Sequence, residues 1–185
     1  MAKIGLKNLY YAKMNEDTAA NGSTPGTTTY GAMKKIGNAI SVDINPAVNR
    51  AALYGDDMAV ATDTSLGEVE VAVETSDIPL EDQAILLGHT YDSVTGTMTS
   101  KSTDVAPYVG IAFESKKSDG GTRCTKLLKG KFAPSQETVN TKGENIEYQV
   151  PKLESAFVAR QSDSAWKIEK DFTSGADTAE WYSSM

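Results

Sequence analysis

The chain shows an alternation of apolar and polar positions over much of its length, which is the pattern of β-strands. It is clearest at residues 65–77, SLGEVEVAVETSD, where valines occupy every second position from 69 to 73. Successive side chains of a strand point to opposite faces. Residues 66–75 are therefore predicted to form a strand with one apolar face and one face bearing Glu68, Glu70 and Glu74.

Shorter runs of the same pattern predict further strands between turn-forming residues. They are expected at residues 7–13, 35–44, 51–54, 58–61, 108–115, 122–132, 147–159 and 165–172. Asp119, Gly120 and Gly121 predict a hairpin between two of them. Because proline cannot donate a ladder hydrogen bond, Pro46 is expected to end one strand and Pro151 to interrupt another.

One helix is predicted at about residues 79–87. Pro79 suits the first helical position, where its missing N–H would have no partner in any case. Glu81 and Asp82 fall in the first turn, where negative charge is favoured, and Gly88 suits the position after the last turn. Many strands joined by turns and a single helix predict a mainly β fold (α+β by strict count), an antiparallel β-sandwich or partial barrel with the helix on its flank.

Two segments have no such periodicity. Residues 15–29, NEDTAANGSTPGTTT, are rich in turn-forming residues, which predicts a long mobile loop. A loop of this length inside a compact domain usually serves a function or a partner. Residues 173–185 are predicted to be a flexible C-terminal tail, so that residues 1–172 form a single domain.

The negative charge of the chain is concentrated in one block. The formal net charge is −7, and residues 51–100 contain ten acidic residues and no lysine or arginine. The excess of acid disfavours non-specific nucleic-acid binding, which depends on Lys and Arg neutralising phosphates. An uneven distribution of this kind bears on partners and self-association rather than on the fold.

A basic group follows the predicted hairpin turn. Its main members are Lys116, Lys117, Arg123, Lys129 and Lys131. It is either an ordinary solvated hairpin or a surface that meets the acidic block of another copy, since complementary charges fix the register between subunits.

The residue types present give enzymatic chemistry little support. His89 is the only histidine and Cys124 the only cysteine, so an intrachain disulfide is impossible and a His-based triad is disfavoured. Same-face positions i and i+2, such as Glu68 and Glu70, stand about 6.5–7 Å apart, and the three glutamates have no nearby His, Arg or aromatic partner in the sequence. On local evidence this row is a solvated strand face. We therefore expect no catalytic residue, metal site or cofactor, and no enzyme.

The first residues lack the apolar run of a signal peptide, and no stretch approaches the length of a membrane span. We expect synthesis in a reducing cytoplasm and no membrane insertion by this chain.

Several long segments together resemble one protein family. They are KIGLKNLYYAKM near the start, GNAISVDINPAVNRAALYGDD from Gly37, SLGEVEVAVETSDIPLEDQAILLGHTYD from Ser65, VAPYVGIAFESKKSDGGTRCTKLLKGKF from Val105 and TKGENIEYQVPKLESAFVAR from Thr141. In number and order, these segments resemble the major tail protein, or tail-tube protein, of long non-contractile-tailed bacteriophages. The resemblance covers nearly the whole chain up to about Phe172.

The resemblance implies a structural virion protein. Tail-tube proteins are β-sandwiches with one helix; six copies form a ring around a continuous inner barrel, and the rings stack into a tube. Such a tube assembles around a tape-measure protein, meets tail-terminator and distal tail proteins, and passes the genome into the host. The implied location is the phage tail, assembled in the bacterial cytoplasm. The residues after Phe172 do not resemble this family, so we expect no counterpart to the C-terminal decoration domain of some tube proteins.

The resemblance also suggests roles for particular residues. Because tube lumens in this family tend to be acidic, Glu68, Glu70 and Glu74 are expected to face the lumen. The loop at 15–29 is expected to contact the next ring through Asn15, Glu16, Asp17, Asn21, Gly22 and Thr27. The five basic residues named above are expected to form a patch between subunits. The alternative is a monomeric β-sandwich that recognises a carbohydrate or protein at a cell surface, although Trp166 and Trp181 do not form an aromatic cluster in the sequence.

Overall fold

A computed structural model describes residues 2–56, 58–136, 140–141 and 149–185. Its strands are β1 (Lys3–Thr18), β2 (Thr27–Tyr30), β3 (Lys34–Lys35), β4 (Ala39–Gly55), β5 (Met58–Thr75), β6 (Thr90–Asp92), β7 (Thr97–Thr99), β8 (Val109–Lys117), β9 (Thr122–Ala133), β10 (Lys152–Val158) and β11 (Lys167–Phe172). Its helices are α1 (Leu80–Leu87) and a 3₁₀-helix (Ala179–Tyr182).

Nine of these strands form one antiparallel sheet that curls into a half-barrel. The strand order is β2-β1-β8-β9-β10-β5-β4, with β3 pairing with β1 and β11 pairing with β9. Strands β6 and β7 form a separate small hairpin. The predicted mainly β fold with one flanking helix is confirmed, and of the two predicted architectures the partial barrel is the one observed.

The hydrophobic core lies between one face of the curled sheet and α1. Val69, Val71 and Val73 of β5 are at most 2% exposed and pack in the same cluster as Phe157 of β10 and Leu86 of α1. The predicted alternation in β5 is thus confirmed. Packing across β9 is close as well, since a Cβ atom on Gly130 would lie 2.6 Å from the Phe157 ring.

Helix α1 is confirmed at its predicted place and is attached to β1 and β3 by polar contacts. Pro79 caps it, and Gly88 ends it with a φ of 75°. The buried Tyr11 hydroxyl donates a hydrogen bond to Asp82 Oδ1 at 2.7 Å, and Lys34 Nζ lies 2.9 Å from Glu81 Oε1. Burial, followed by the hydrogen bond to Asp82, raises the pKa of Tyr11 well above its usual value, so this hydroxyl remains the donor.

The predicted end of a strand at Pro46 is wrong. Strand β4 continues through Pro46 to Gly55. The short strands expected at 51–54 and 58–61 are the end of β4 and the start of β5, which pair as one long hairpin. In the part of the chain that the structure describes, β4 pairs only with β5. Proline is compatible with such an edge strand because one side of it needs no ladder hydrogen bonds.

The remaining predicted strands correspond to β1, β8, β9, β10 and β11. For the strand expected at 147–159, residues 147–148 lie outside the described residues, and the observed strand begins at Lys152, directly after Pro151.

The long mobile loop predicted at 15–29 is wrong, because this segment is a β-hairpin. Strand β1 runs to Thr18 and pairs there with Thr27 of β2, so only a short connection remains between them. An isolated bridge between Asn21 and Thr24 orders that connection. The polar sequence conceals the pairing because its hydrogen bonds are made to distant residues.

The flexible tail predicted at 173–185 is also wrong. This segment, which we call the C-terminal strap, crosses β1, β8 and β9. The rings of Tyr182 and Tyr10 lie 4.6 Å apart between centroids, and Lys126 Nζ donates to the carbonyl of Ser184 at 2.6 Å. Thr178 Oγ1 donates to Glu114 Oε2 at 3.1 Å. Thr178 and Glu114 are 64 residues apart in the sequence, and Lys126 and Ser184 are 58 apart. No local pattern can predict contacts between residues so far apart.

Trp181 is expected to hold the strap in place. Its ring meets Phe172 edge-on at 6.2 Å and lies 4.2 Å from Lys126 Nζ. Trp181→Ala removes both contacts and uncovers Lys126, so we expect a loss of about 1–3 kcal/mol in the free energy of unfolding. Urea unfolding followed by Trp166 fluorescence measures it. Trp181→Phe is the control and should recover part of the loss, whereas an unchanged Trp181→Ala protein would contradict a packed strap.

Candidate functional site

Glu68, Glu70 and Glu74 lie on the face of β5 that points away from the core. Asn45 Nδ2 of β4 donates to Glu70 Oε2 at 3.3 Å, and Ser41 Oγ donates to Glu74 Oε2 at 2.9 Å. Asp43 stands between these two partners on β4, opposite Ala72. We call the three glutamates and Asp43 the acidic face. Among the described residues, no lysine or arginine forms an ion pair with these three glutamates.

Lysines border the acidic face on the next two strands of the sheet, since Lys152 of β10 pairs directly with Glu74 and Lys131 of β9 lies two strands away. Ala156 of β10 pairs with Glu70 on one side and with Lys131 of β9 on the other, so Glu70 and Lys131 share one face of the sheet. Lys131 Nζ lies 4.4 Å from the centre of the Tyr108 ring. On β10, between β5 and β9, Lys152 forms an ion pair with Glu154, so the negative charge is concentrated on β5 and its partner β4.

The five predicted basic residues do not form one patch. Lys117 and Arg123 lie at the hairpin end of β9 and share Asp171, to which Arg123 donates two hydrogen bonds of 2.7 and 2.8 Å. The hydrogen bond from Arg123, together with that from Lys117, holds the pKa of Asp171 well below its usual range. Lys116 is exposed at the same end.

Lys129 is buried near the other end of β9, as part of an ion pair within the chain. Its Nζ atom lies 2.6 Å from Asp17 Oδ2, and the two side chains are 8% and 5% exposed. With Lys131 beside it, Lys129 is separated from Arg123 by six residues of extended strand, roughly 20 Å. The single patch is therefore wrong, and Lys129 has no free charge to offer a second subunit.

The six residues predicted to contact the next ring also differ in their surroundings. Asp17 is occupied by Lys129, while the rest lie exposed on the hairpin of β1 and β2, namely Asn15, Glu16, Asn21, Gly22 and Thr27. Their role in contacts between rings stays a prediction.

The most exposed apolar surface was missed by sequence reasoning. Residues 48–56 and 58–66, which we call the hairpin arm, form the outer part of the hairpin of β4 and β5. Leu53, Tyr54, Met58 and Val60 are 66–72% exposed there. A two-stranded ribbon is marginally stable alone, and exposed apolar side chains of this number mark an interaction site. The run AVNRAAL in β4 does not alternate, so it does not predict an exposed strand.

The single histidine and the single cysteine of the chain are both enclosed by other parts of the fold. His89 Nδ1 lies 2.8 Å from Asp104 Oδ2 in the loop after α1. Burial raises the pKa of the Cys124 thiol to about 11, which keeps the thiol protonated and unreactive. Among residues 2–56, 58–136, 140–141 and 149–185, no three acidic, histidine or cysteine side chains are grouped to hold a metal ion. None of the helices described there has the length and apolar character needed to cross a membrane.

Comparison with models of known protein families finds none that matches this chain, and comparison with curated proteins finds no significant match. The fold and these surfaces define a mainly β protein with an acidic sheet face and an exposed apolar arm. The tail-tube interpretation, the absence of catalysis and the absence of cofactors stay predictions.

Proposed function

We propose that this protein is a structural subunit of a phage tail tube, which assembles into hexameric rings and stacks with further rings into a conduit for DNA. The hairpin arm is the observation that carries this proposal. Its apolar side chains are exposed on a two-stranded ribbon, where a monomer gains nothing from them. A second copy that covers the arm removes this apolar surface from water and stabilises the ribbon.

The edges of the sheet support a closed ring. In the described part of the chain, β4 pairs only with β5 and β11 only with β9. Unpaired edges are templates for pairing with another chain, and closed cyclic symmetry satisfies all of them at once. The tape-measure, tail-terminator and distal tail proteins are the proposed partners of the finished tube, within a virion assembled in the bacterial cytoplasm.

The acidic face supports a lumen through which DNA moves without binding. Phosphates are repelled by Glu68, Glu70 and Glu74, whereas a basic wall would release counterions from DNA and hold it. The ordered hydrogen bonds from β4 keep two of these carboxylates in place. We therefore assign this face of β5 to the inside of the tube.

Microscopy of the purified protein tests the proposed function. Negative-stain images at rising protein concentration should show rings of uniform diameter and, above a threshold, stacked tubes. A monomer at every concentration and salt, also after addition of preformed tail tips as initiators, would refute the proposal. Rings that never stack would limit it to a cyclic oligomer.

Reversing the charge of the acidic face should make the assembled protein retain DNA. In Glu68→Lys/Glu70→Lys/Glu74→Lys, DNA binding is expected to appear and to weaken with salt, with a slope of about −0.9 for each phosphate neutralised. Filter binding of duplex DNA to assembled protein measures it. The matched Gln variant, which removes charge without reversing it, should bind far less. If the Lys variant binds no more than the wild type, these residues do not line the lumen.

A further inference from the structure

The C-terminal strap lies on the face of the sheet that is opposite the core. Ile111 and Phe113 of β8 belong to the core cluster, so Ala112 between them points to the other side. Ala112 pairs with Lys126 of β9, and Lys126 Nζ donates to the strap carbonyl of Ser184. The acidic face also points away from the core. The strap and the acidic face therefore occupy the same face of one sheet.

Lysines surround the strap on this face. Residues that stand directly opposite each other in an antiparallel pair share a face. Glu114 pairs with Lys7 on one side and, through Cys124, with Lys170 on the other. We call the lysines that the register places around the strap the basic half of the face, namely Lys7, Lys35, Lys116, Lys126 and Lys170. In the described part of the chain, none of these five forms an ion pair.

The strap hides the centre of the basic half and brings negative charge to it. Lys126 is 8% exposed, beneath the Ser184 carbonyl and the Trp181 ring. Burial lowers the pKa of Lys126 below its ordinary value, so the covered ammonium loses part of its hydration. The strap itself contains Asp177 and Glu180, both exposed, and no lysine or arginine. Its release therefore adds one cation to the face and takes two carboxylates away from it.

Several features of the docked strap favour its release. Trp181 Nε1 is buried and has no hydrogen-bond partner among the described residues. Glu114 is buried under the strap with two uncharged donors, Asn8 Nδ2 and Thr178 Oγ1. Burying a donor without an acceptor, or an ionisable group without a counterion, costs free energy. These costs oppose the contacts that hold the strap, such as the stack of Tyr182 on Tyr10.

We propose that the strap shields a surface that binds the phosphate backbone of duplex DNA. Lys7 and Lys170 stand at opposite ends of a row that crosses four strands, roughly 14 Å apart at the backbone, and Lys126 lies between them in the next row. Lysines grouped in this way neutralise neighbouring phosphates and release their counterions, which is the source of sequence-independent affinity for DNA.

DNA fits the uncovered surface better than an acidic protein does. Gly110 and Ala112 of β8 and Ala12 of β1 form a floor of small residues beneath the lysines. Protein interfaces gain most of their affinity from large side chains that fill pockets, whereas a phosphate backbone is held by charge over a flat surface. In a conduit, the shield would let DNA pass the basic half without being held. This use of the shield rests on the proposed function, but the shielding itself is a property of the single chain.

DNA binding by the full-length chain tests the shield. Trp181→Ala removes the ring over Lys126, and Tyr182→Ala removes the stack on Tyr10. Fluorescence anisotropy with a labelled duplex of mixed sequence should show about tenfold tighter binding by either variant than by the wild type at low salt, with a log–log salt slope of about −3. Trp181→Phe keeps a ring over the lysine and is the matched control, which should bind like the wild type.

Acetylation of lysines, mapped by mass spectrometry, shows whether the strap has been released. Lys126 should react several times faster in the two Ala variants than in the wild type, whereas the exposed Lys170 should react equally in all. Lys126 that is as reactive in the wild type, or that stays protected in both variants, would overturn the shield.

A second pair of variants assigns the bound surface. In the Trp181→Ala chain, Lys116→Gln/Lys170→Gln should weaken DNA binding and reduce the salt slope by about 2. Lys13→Gln/Lys101→Gln makes the same change at two exposed lysines outside the basic half and should alter neither quantity. Equal losses from both pairs would show that total charge, not this surface, binds DNA.

The outcomes separate this proposal from the proposed function. Tubes seen by microscopy, together with released chains that do not bind DNA, overturn the shield and leave the tube intact. Released chains that bind DNA, from a protein that never forms rings, support the shield and refute the tube. Released chains that associate with each other in a salt-sensitive way and ignore DNA would assign the basic half to an acidic protein and overturn the proposal.

Discussion

Replacing residues 49–65 by a two-residue Asn-Gly turn is expected to abolish self-association while leaving the domain folded. The pair of Val48 and Leu66 becomes the last rung of a shortened hairpin. Asn-Gly favours the type I′ turn that matches the twist of the flanking strands. The buried part of β5 begins only at Val69, so the core keeps all its contacts.

Two measurements are needed for this variant. Sedimentation velocity and electron microscopy should show a monomer at concentrations at which the wild type is expected to form the proposed rings. Thermal unfolding should shift little, since the excised side chains are exposed in the single chain. A variant that still forms rings would show that the arm is dispensable for lateral contacts, and one that still stacks into tubes would show that the arm is not needed for the proposed assembly.

Two point variants refine the result. Leu53→Asp/Met58→Asp places charge on the arm at two sites that are 66% and 72% exposed. We expect it to weaken assembly strongly without changing the free energy of unfolding. The matched control is Val94→Asp/Val105→Asp, which makes the same change at two apolar residues that are 91% and 73% exposed elsewhere. If both variants assemble equally poorly, total charge rather than the arm is responsible.

The parts of the fold that the sequence predicted are those where the local pattern and the tertiary environment agree. Val69, Val71 and Val73 alternate in the sequence and are buried on one side of β5, so their period was sufficient. Helix α1 carries its own end signals in Pro79 and Gly88. Such features are local, because a few neighbouring residues in the sequence are enough to predict them.

The arm was missed because neither of its faces is buried by its own chain. Without a buried face, the sequence of a strand does not need to alternate between apolar and polar residues. Pro46 and Asp56 are also residue types typical of strand ends, so they suggested several short strands where one long hairpin is present. The pairing that reveals the arm joins residues such as Val48 and Leu66. Hence the candidate site could be predicted at the acidic face, where one side is core, but not at the arm.

The hairpin of β1 and β2 was missed for a different reason, namely that its polar residues have distant partners. Asp17 accepts hydrogen bonds from Lys129 Nζ, Thr28 Oγ1 and the backbone amides of Gln161 and Ser162. Lys129 and Gln161 are 112 and 144 residues away in the sequence. A polar segment with such partners has the composition of a loop and the structure of a strand.

Removing this carboxylate is expected to destabilise the protein strongly. In Asp17→Ala, Lys129 stays buried with an unpaired charge, and two backbone amides lose their acceptor. Breaking one side of a buried ion pair typically costs about 3–5 kcal/mol. Urea unfolding at neutral pH measures the loss. In Asp17→Ala/Lys129→Met the orphaned charge is gone, so the double variant should be more stable than Asp17→Ala alone. If the second change instead adds to the first, the two side chains do not act as a pair.

The same pair predicts the acid dependence of stability. Burial alone would raise the pKa of Asp17, but hydrogen bonds from Lys129, the Gln161 amide and Thr28 outweigh it and lower the pKa below its ordinary value of 3.8. A carboxyl with a lowered pKa in the folded state contributes stability that is fully present above its unfolded pKa and is lost as the pH falls through its folded pKa. The difference in unfolding free energy between wild type and Asp17→Ala should therefore be constant near neutral pH and shrink below about pH 4. A difference that stays constant through acid pH would mean that the ionised carboxylate is not what holds β1 to Lys129.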